Sequence, residues 1–296
     1  MLSAVQQARP ETVIVLTGPS GAGKSTIIGA LERHLRSFYA DRMASDPGFL
    51  PYLSLRAQAP LDGHFNWKDM FTRVLWSAGE VLIDRKVLPR FEMDLDGRTL
   101  DSMKGLVREE LRRSLESLIR HRQVPILILD ESSALLRLKR GALPFLQFEI
   151  LKSLAVELRI PILLVGAYDL LGILDGTGQL LRRSQIIHLP RYRAGAEGVD
   201  PNFIDAQHTL LEAIKIPMDM NLADRADYFF LKSVGCIGTL KDWLDRTGQR
   251  ASHSSPDKPY ITIDSRLRIS PSGKPPAMVQ ADPRLAPYRA RRPESR

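Results

Sequence analysis

Short apolar runs alternate with longer stretches of helical periodicity over the first two thirds of this chain. The runs are rich in branched aliphatic residues, which is typical of strands buried on both faces. The intervening stretches carry apolar residues at spacings of three and four, as amphipathic helices do. This alternation predicts an α/β fold with a parallel sheet between helices. The predicted strands cover residues 12–16, 52–55, 125–131, 160–166 and 186–189.

After the last predicted strand the helical periodicity continues, and no further strand of the sheet is predicted. The core helices are predicted at 25–38, from Asn66 to Ile83, after an N-cap at Asp101, and at 145–158. Beyond Pro201, segments 205–214 and 223–234 predict a small helical lid. We therefore expect a core of residues 1–198, a lid of residues 199–246 and a tail of residues 247–296.

Composition limits the class of protein and sets the tail apart. Hydrophobic residues make up 44% of the 296 residues, and the single cysteine, Cys236, excludes an internal disulfide framework. With no signal segment or long apolar run, we expect a soluble cytoplasmic protein without a membrane partner. The net charge is +8, and the tail holds ten Lys or Arg residues, four Asp or Glu residues and eight prolines. It is predicted to be a flexible basic extension with a short strand at 260–263, which either contacts nucleic acid or a partner protein or only keeps the chain soluble.

A glycine-rich loop between the first strand and the first helix carries the strongest chemical signal. It has the complete phosphate-loop spacing G-x-x-x-x-G-K-S, in which backbone amides surround phosphates at a helix N-terminus. Lys24 is predicted to reach the β- and γ-phosphates of ATP, and the Ser25 hydroxyl to bind Mg²⁺. The predicted nucleotide-binding residues of this segment are Gly18, Pro19, Ser20, Gly21, Ala22, Gly23, Lys24, Ser25 and Thr26.

Two carboxylates at the end of the third strand complete the predicted site. Asp130 is expected to bind Mg²⁺, and Glu131 to orient and deprotonate the attacking water. The alternative is that the pair caps the next helix. At the end of the fourth strand, Ala167 is the wrong residue type for a γ-phosphate sensor. Tyr168 or Asp169 would have to serve, or both only cap the following turn.

Basic residues outside the loop suggest further contacts. Before the fifth strand, Arg183, with Arg182 as second choice, is predicted to reach the γ-phosphate of a neighbouring subunit; both could instead be solvated residues at a helix end. Lys104, Arg108, Arg112 and, in a separate loop, Lys139 are candidates for contacting DNA phosphates. Interleaved glutamates leave a plain solvated helix surface as the alternative. The six histidines show no metal-ligand spacing.

With these elements in this order, the chain resembles an AAA+ ATPase with a P-loop NTPase core and a C-terminal helical lid. It resembles more narrowly the TnsC/TniB regulators of Tn7-like transposons. Three stretches carry this closer likeness. The first combines residues 65–67 and 82–86. The second is 183–192, which contains an arginine and then Leu-Pro-Arg-Tyr, and the third is 235–240 in the lid. Ala167 departs from the family pattern, and the lid has only Lys241 in place of a clear arginine.

The resemblance implies an ATPase that uses Mg²⁺ and assembles with itself as a ring or helical filament on duplex DNA. It also implies two protein partners, a transposase and a target-selection protein of the TniQ/TnsD type. Lys24, Ser25, Asp130, Glu131 and Arg183 would carry ATP binding and slow hydrolysis, and Lys104 and Arg108 would contact DNA without sequence preference.

Other functions share parts of the same pattern. A small-molecule kinase has a similar phosphate loop, but the Asp-Glu strand and the arginine before Leu189-Pro190 argue against it, and no compact acceptor-binding segment lies between them. A helicase loader of the DnaC/IstB kind shares the whole chemistry. A signalling ATPase that binds only proteins is a third alternative.

Overall fold

The computed structural model describes most of the chain, in two compact units. Its described residues are 9–58, 65–80, 83, 103–136, 144–173, 184–195, 198–214, 225–254, 261–263 and 269–271. The first unit lies within residues 1–19 and 24–189, and the second within residues 20–23 and 190–296.

A five-stranded parallel sheet forms the centre of the first unit. Its strands are β1 (Val13–Thr17), β2 (Leu53–Arg56), β3 (Leu127–Asp130), β4 (Ile162–Gly166) and β5 (Ser184–His188). They pair in the order β2-β3-β4-β1-β5. Strand β4 therefore lies between β1 and β3, with Val15 opposite Leu164 and Leu129 opposite the same residue. The predicted parallel sheet is confirmed, and its carboxyl edge collects the residues that follow β1, β3 and β4.

Alternation of side chains in β1 divides the core of this unit into two layers. Ile14 and Leu16 face α1 (Lys24–Phe38), where they meet buried aliphatic residues of that helix. Val13 and Val15 face the opposite layer. That layer contains α3 (Trp67–Ser77), α4 (Met103–His121) and α5 (Pro144–Leu158). The short helix α2 (Ala40–Ser45) follows α1 and buries no residue.

One predicted helix is shorter in the structure than the periodicity suggested. The helix from Asn66 was expected to reach Ile83, but α3 ends at Ser77 and is followed by Gly79 with a φ of +73°. A left-handed glycine ends a helix because it satisfies the last carbonyls without a Cβ clash. Ile83 is nevertheless buried in the core, so the apolar pattern marked burial correctly and the helix end wrongly. The predicted N-cap Asp101 lies outside the described residues.

The second unit is mainly helical. It contains α6 (Pro201–Ala213), α7 (Ala226–Ser233) and α8 (Ile237–Ser254), and two small hairpins, β6–β7 (Ala194–Gly195, Gly198–Val199) and β8–β9 (Ile261–Ile263, Ile269–Pro271). Its core centres on Phe203, Phe229 and Leu240. Both predicted lid helices are present with shifted ends.

The last helix extends past the predicted end of the lid. The boundary expected at residue 247 falls inside α8, where Thr247 is buried and Ala251 packs in the same core. The strand expected at 260–263 corresponds to β8, and Ile261 is also buried in this core. Among the described helices of the chain, none is both long enough and apolar enough to cross a membrane.

Candidate active site

The phosphate loop connects β1 to α1 and depends on glycine at three places. Gly21 and Gly23 have φ values of +77° and +95°, which residues with a Cβ rarely adopt. Gly18 has a different requirement, because a Cβ there would lie 2.1 Å from the carbonyl oxygen of Leu189. The sequence motif therefore reflects two constraints: left-handed backbone at the tip and close backbone packing at the base.

Lys24, the first residue of α1, folds back onto its own loop. Its Nζ donates hydrogen bonds to the carbonyl oxygens of Gly18 and Pro19, both at 2.8 Å. The ammonium group is thereby held beside backbone amides at the positive end of a helix, an arrangement that attracts anions. Ser25 and Thr26 follow in the first turn and are exposed.

Asp130 and Glu131 lie where β3 ends, two strands away from β1 in the same sheet. Asp130 is half-buried, and its Oδ1 accepts a hydrogen bond of 2.8 Å from the backbone amide of Glu131. Glu131 has a φ of +54° and an exposed side chain. The turn also holds Ser132, whose hydroxyl donates to the carbonyl of Leu129 at 2.6 Å. The pair thus shapes the start of the following 3₁₀ helix and also presents carboxylates at the carboxyl edge of the sheet.

Arg56, at the end of β2, was missed by sequence reasoning. Its Nη2 lies 3.2 Å from Oε1 of Glu131, and the two side chains are 74% and 52% exposed. The register of β2 and β3 sets up this contact by placing Arg56 opposite Asp130. Arg73 of α3 donates to the backbone carbonyl of Arg56 at 3.1 Å. The signal available in the sequence was a cation directly after the predicted strand 52–55. That prediction ended the strand one residue too early, at Leu55.

The residues after β4 are all engaged by neighbours. The backbone carbonyl of Ala167 accepts a hydrogen bond from the Thr17 hydroxyl at 3.0 Å. Asp169 accepts from the Ser133 hydroxyl at 2.7 Å, and Tyr168 shares a hydrogen bond with His188 at 2.5 Å. Asp169 also lines an open cleft of about 670 Å³ together with Arg56, Gln58, Glu131 and Ser133. Either candidate sensor therefore lies at the carboxyl edge of the sheet, Asp169 in the cleft with Glu131 and Tyr168 beside β5.

The residues present fit a nucleotide with Mg²⁺. The loop provides backbone amides, a cation and the Ser25 hydroxyl, and Asp130 provides a carboxylate; oxygen ligands of this kind suit Mg²⁺. No group of three or more His, Cys, Asp or Glu side chains in the described part of the chain could hold a metal ion by itself. A magnesium ion at Ser25 and Asp130 would therefore draw its remaining ligands from phosphate and water.

The predicted DNA-contacting residues fall in different environments. Arg108 is exposed on α4, whereas Arg112 is turned toward α5 and forms ion pairs with Glu157 and, at 3.4 Å, with Glu116. Arg112 therefore joins two helices of the core rather than standing in solvent. Lys104 belongs to α4 by its backbone. Lys139, Arg182 and Arg183 lie outside the described residues.

The two carboxyl groups that pair with Arg112, those of Glu116 and Glu157, have pKa values shifted in opposite directions. Burial, together with a hydrogen bond and repulsion from Glu157, raises the pKa of Glu116 above its ordinary value. Burial also acts to raise the pKa of Glu157, but hydrogen bonds with Arg112 and Glu116 outweigh it and lower that pKa. Glu116 is thus the carboxyl that holds a proton more readily.

Comparison with known proteins gives one family match and distant structural likenesses. A family model described as "AAA domain" matches residues 7–174. A Walker-type ATPase of Pyrococcus abyssi is similar with a TM-score of 0.49 at 16% identity, over 86% of this chain and 66% of that one. Cdc6p from Pyrobaculum aerophilum gives a TM-score of 0.48 at 16% identity, over 82% of this chain and 56% of that one.

Drosophila ORC bound to DNA gives a TM-score of 0.45 at 14% identity, over 84% of this chain and 58% of that one. This chain thus spans less than two thirds of each of these three structures. No curated protein matches it by sequence. Since the matched residues are more than half of the chain and include both the phosphate loop and Asp130–Glu131, the chain belongs to the AAA domain family.

Proposed function

We propose that this chain binds ATP with Mg²⁺ and hydrolyses it slowly, as a switch that controls assembly. One observation carries the proposal: the phosphate loop after β1 and the carboxylates after β3 lie at the same edge of one parallel sheet, with only β4 between them. Ligands of open α/β sheets bind at this edge, outside the carboxyl ends of the strands.

Each residue has a role that follows from its chemistry. The loop amides and Lys24 bind and orient the phosphates, and Glu131 orients the attacking water and accepts its proton. Ser25 and Asp130 would hold the Mg²⁺ ion, which supplies charge neutralisation of the phosphates when bound. Arg183 of a neighbouring subunit would stabilise negative charge on the γ-phosphate. With Glu131 paired to Arg56 in the isolated chain, slow basal hydrolysis is expected.

The finer proposal is a transposition regulator of the TnsC/TniB type that assembles on duplex DNA as a ring or filament and links a target-selection protein of the TniQ/TnsD type to a transposase. Its support is the likeness of residues 183–192 and 235–240 to that family, and the exposed Arg108 on α4. Lys104, Arg112 and Lys139 remain candidate phosphate contacts, although Arg112 would have to leave its ion pairs. The division into core, lid and basic tail belongs to the same proposal.

A helicase loader of the DnaC/IstB kind is the nearest alternative, because every described feature of the site suits it as well. A small-molecule kinase or a protein-binding signalling ATPase would need neither DNA nor self-assembly. Stimulation of hydrolysis by duplex DNA separates the first two functions from the last two, and direct binding to a transposase then separates the regulator from the loader.

The nucleotide chemistry is tested by Glu131→Gln, which keeps the size of the side chain and removes its basicity. We expect ATP hydrolysis to fall by about 10²- to 10⁴-fold, whereas the dissociation constant for ATP should change little, because Glu131 acts on water rather than on the phosphates. Lys24→Ala serves as the binding-deficient comparison, and turnover is measured by phosphate release with and without duplex DNA. Glu131→Gln hydrolysing ATP at the wild-type rate would overturn the assignment of the base.

A further inference from the structure

The tip of the phosphate loop is hydrogen-bonded to the first turn of α8. The amide of Gly238 donates to the carbonyl oxygen of Gly21 at 2.7 Å. Residues 20–23 and α8 belong to the same compact unit of the chain. Gly238 is the second residue of α8, so its amide is one of the first four that have no acceptor within their own helix. The loop carbonyl therefore satisfies a donor that the helix leaves unpaired.

Glycine at both positions allows this close approach of two backbones. A Cβ on Gly238 would lie 2.8 Å from the Gly21 carbonyl oxygen and 3.0 Å from the Gly21 Cα. A Cβ on Gly21 would lie 2.7 Å from the Thr239 hydroxyl oxygen. Since the atoms that Gly238 would meet belong to the backbone, no side-chain rotation could relieve the clash. A side chain at 238 would have to push the loop tip away.

The hydrogen bond also fixes which way the loop's next amide points. The chain contains no cis peptide bond among its described residues, and in a trans peptide the C=O and N–H groups point in opposite directions. With the Gly21 carbonyl aimed at α8, the Ala22 N–H points away from α8. A glycine with a φ of +77° changes backbone conformation at little steric cost. Without the hydrogen bond, the Gly21–Ala22 peptide could turn over and present an oxygen where an anion needs a donor.

We propose that Gly238 is a positioning residue for the nucleotide: its amide holds the Gly21–Ala22 peptide so that the Ala22 N–H is directed to phosphate. This inference rests on the proposed function, because it requires that the loop binds ATP. It also gives the lid a role in the nucleotide site that needs no lid arginine. Amides of this loop type bind the phosphates that ATP and ADP share, so the effect is the same for both nucleotides.

The test compares the full chain carrying Gly238→Ala with the wild type and with Gly195→Ala. Gly195 is a matched control in the same unit, since a Cβ there would meet nothing within 4 Å. Dissociation constants for ATP and ADP with Mg²⁺ are measured by calorimetry, and folding is checked by the thermal unfolding midpoint. We expect Gly238→Ala to weaken both nucleotides by about tenfold, the ratio that corresponds to one lost backbone hydrogen bond. Gly195→Ala should bind as the wild type does.

A second variant removes the donor without adding bulk. Replacing the 237–238 amide by an ester deletes the N–H and adds no side chain, but its oxygen would then face the Gly21 carbonyl oxygen. The ester protein therefore tests the same contact if Gly238→Ala does not fold. Wild-type affinities for both nucleotides in a folded Gly238→Ala protein and in the ester protein would overturn the inference and leave ATP binding intact. If the wild-type protein bound neither nucleotide, as is expected of the Lys24→Ala variant, the proposed function would be overturned and the inference with it.

Discussion

Glu131 is the proposed general base, and its carboxylate accepts a hydrogen bond from Arg56 on the neighbouring strand. Both side chains are largely exposed, so the ion pair contributes no more than about 1 kcal/mol. Such a pair restrains the carboxylate without fixing it. While Glu131 is paired, one of its oxygens accepts from Arg56 and is less available to accept a proton from water. Arg73 of α3 donates a hydrogen bond to the Arg56 carbonyl and so connects that helix to the end of β2.

Removing the Arg56 side chain should therefore raise the basal rate. For Arg56→Ala we expect ATP hydrolysis without DNA to increase by about two- to fivefold, the range allowed by an exposed ion pair of at most about 1 kcal/mol. The unfolding midpoint should fall by no more than a few degrees, because the same pair contributes at most about 1 kcal/mol to folding. Phosphate release under saturating ATP provides the measurement, with Arg33→Ala on the exposed side of α1 as the matched control. A fall in the rate for Arg56→Ala would mean that the guanidinium assists hydrolysis instead of restraining its base.

At the scale of elements, α4 and α5 are joined by Arg112 between Glu116 and Glu157. The two carboxyls respond to pH in opposite ways. The raised pKa of Glu116 gives stability that is complete below its ordinary value and is lost as pH rises through the raised value. The lowered pKa of Glu157 gives stability that is present above its ordinary value and is lost as pH falls through the lowered one. At neutral pH, the ion pair of Arg112 that stabilises the fold is therefore the one with Glu157.

Two isosteric substitutions separate these contributions. At pH 7, Glu157→Gln should destabilise the protein by about 1 kcal/mol or less, because the group is partly exposed. Glu116→Gln resembles the protonated form of the residue and should leave stability at pH 7 unchanged or slightly higher. Denaturant unfolding at pH 7 and pH 4 measures both, and the deficit of Glu157→Gln should shrink at the lower pH. Equal losses of stability in the two variants at pH 7 would contradict the opposite pKa shifts of Glu116 and Glu157.

The elements also show what the sequence could predict. Continuous aliphatic runs such as 162–165 identified the central strands, because burial on both faces favours such residues there. The edge strands β2 and β5 are only partly buried and contain polar residues, and shorter apolar runs identified them. The end of α3 was not predictable from periodicity, since Ile83 is buried although the helix has already stopped at Ser77. The sequence also did not indicate that Arg112 points toward α5 rather than into solvent, for a related reason. Whether a cation meets solvent or a carboxylate on another helix depends on packing between elements far apart in the chain.

At the scale of the molecule, the phosphate loop could be predicted as a local motif, whereas its supports could not. The loop needs only consecutive residues, and spacing alone identifies it. Its partners come from distant parts of the chain: Glu131 contacts Arg56 across 75 positions, and Gly21 contacts Gly238 near the other end. Glycines at positions 235 and 238 gave a family likeness but no indication of which backbone they approach. A pattern identifies residue types that suit a site, and the fold decides which of them meet.

Self-assembly is the prediction that belongs to the molecule as a whole. ATP bound between subunits would join one phosphate loop to the Arg183 of the next subunit, so that nucleotide state controls association. One such interface, repeated head to tail, builds a ring or an open filament. We expect negative-stain images of the protein with duplex DNA and a non-hydrolysable ATP analogue to show rings or filaments that need both ligands.

Arg183→Ala and Arg182→Ala provide a matched pair for this experiment, since they remove the same side chain from adjacent positions. Only the arginine that reaches the neighbouring γ-phosphate should be required for assembly. We therefore expect assemblies to disappear in Arg183→Ala and to persist in Arg182→Ala, with DNA-stimulated hydrolysis falling by about 10³-fold or more in the former. The reverse result would transfer the role to Arg182. A wild-type protein that stays monomeric with DNA and nucleotide would exclude the regulator and direct the search to a phosphoryl acceptor.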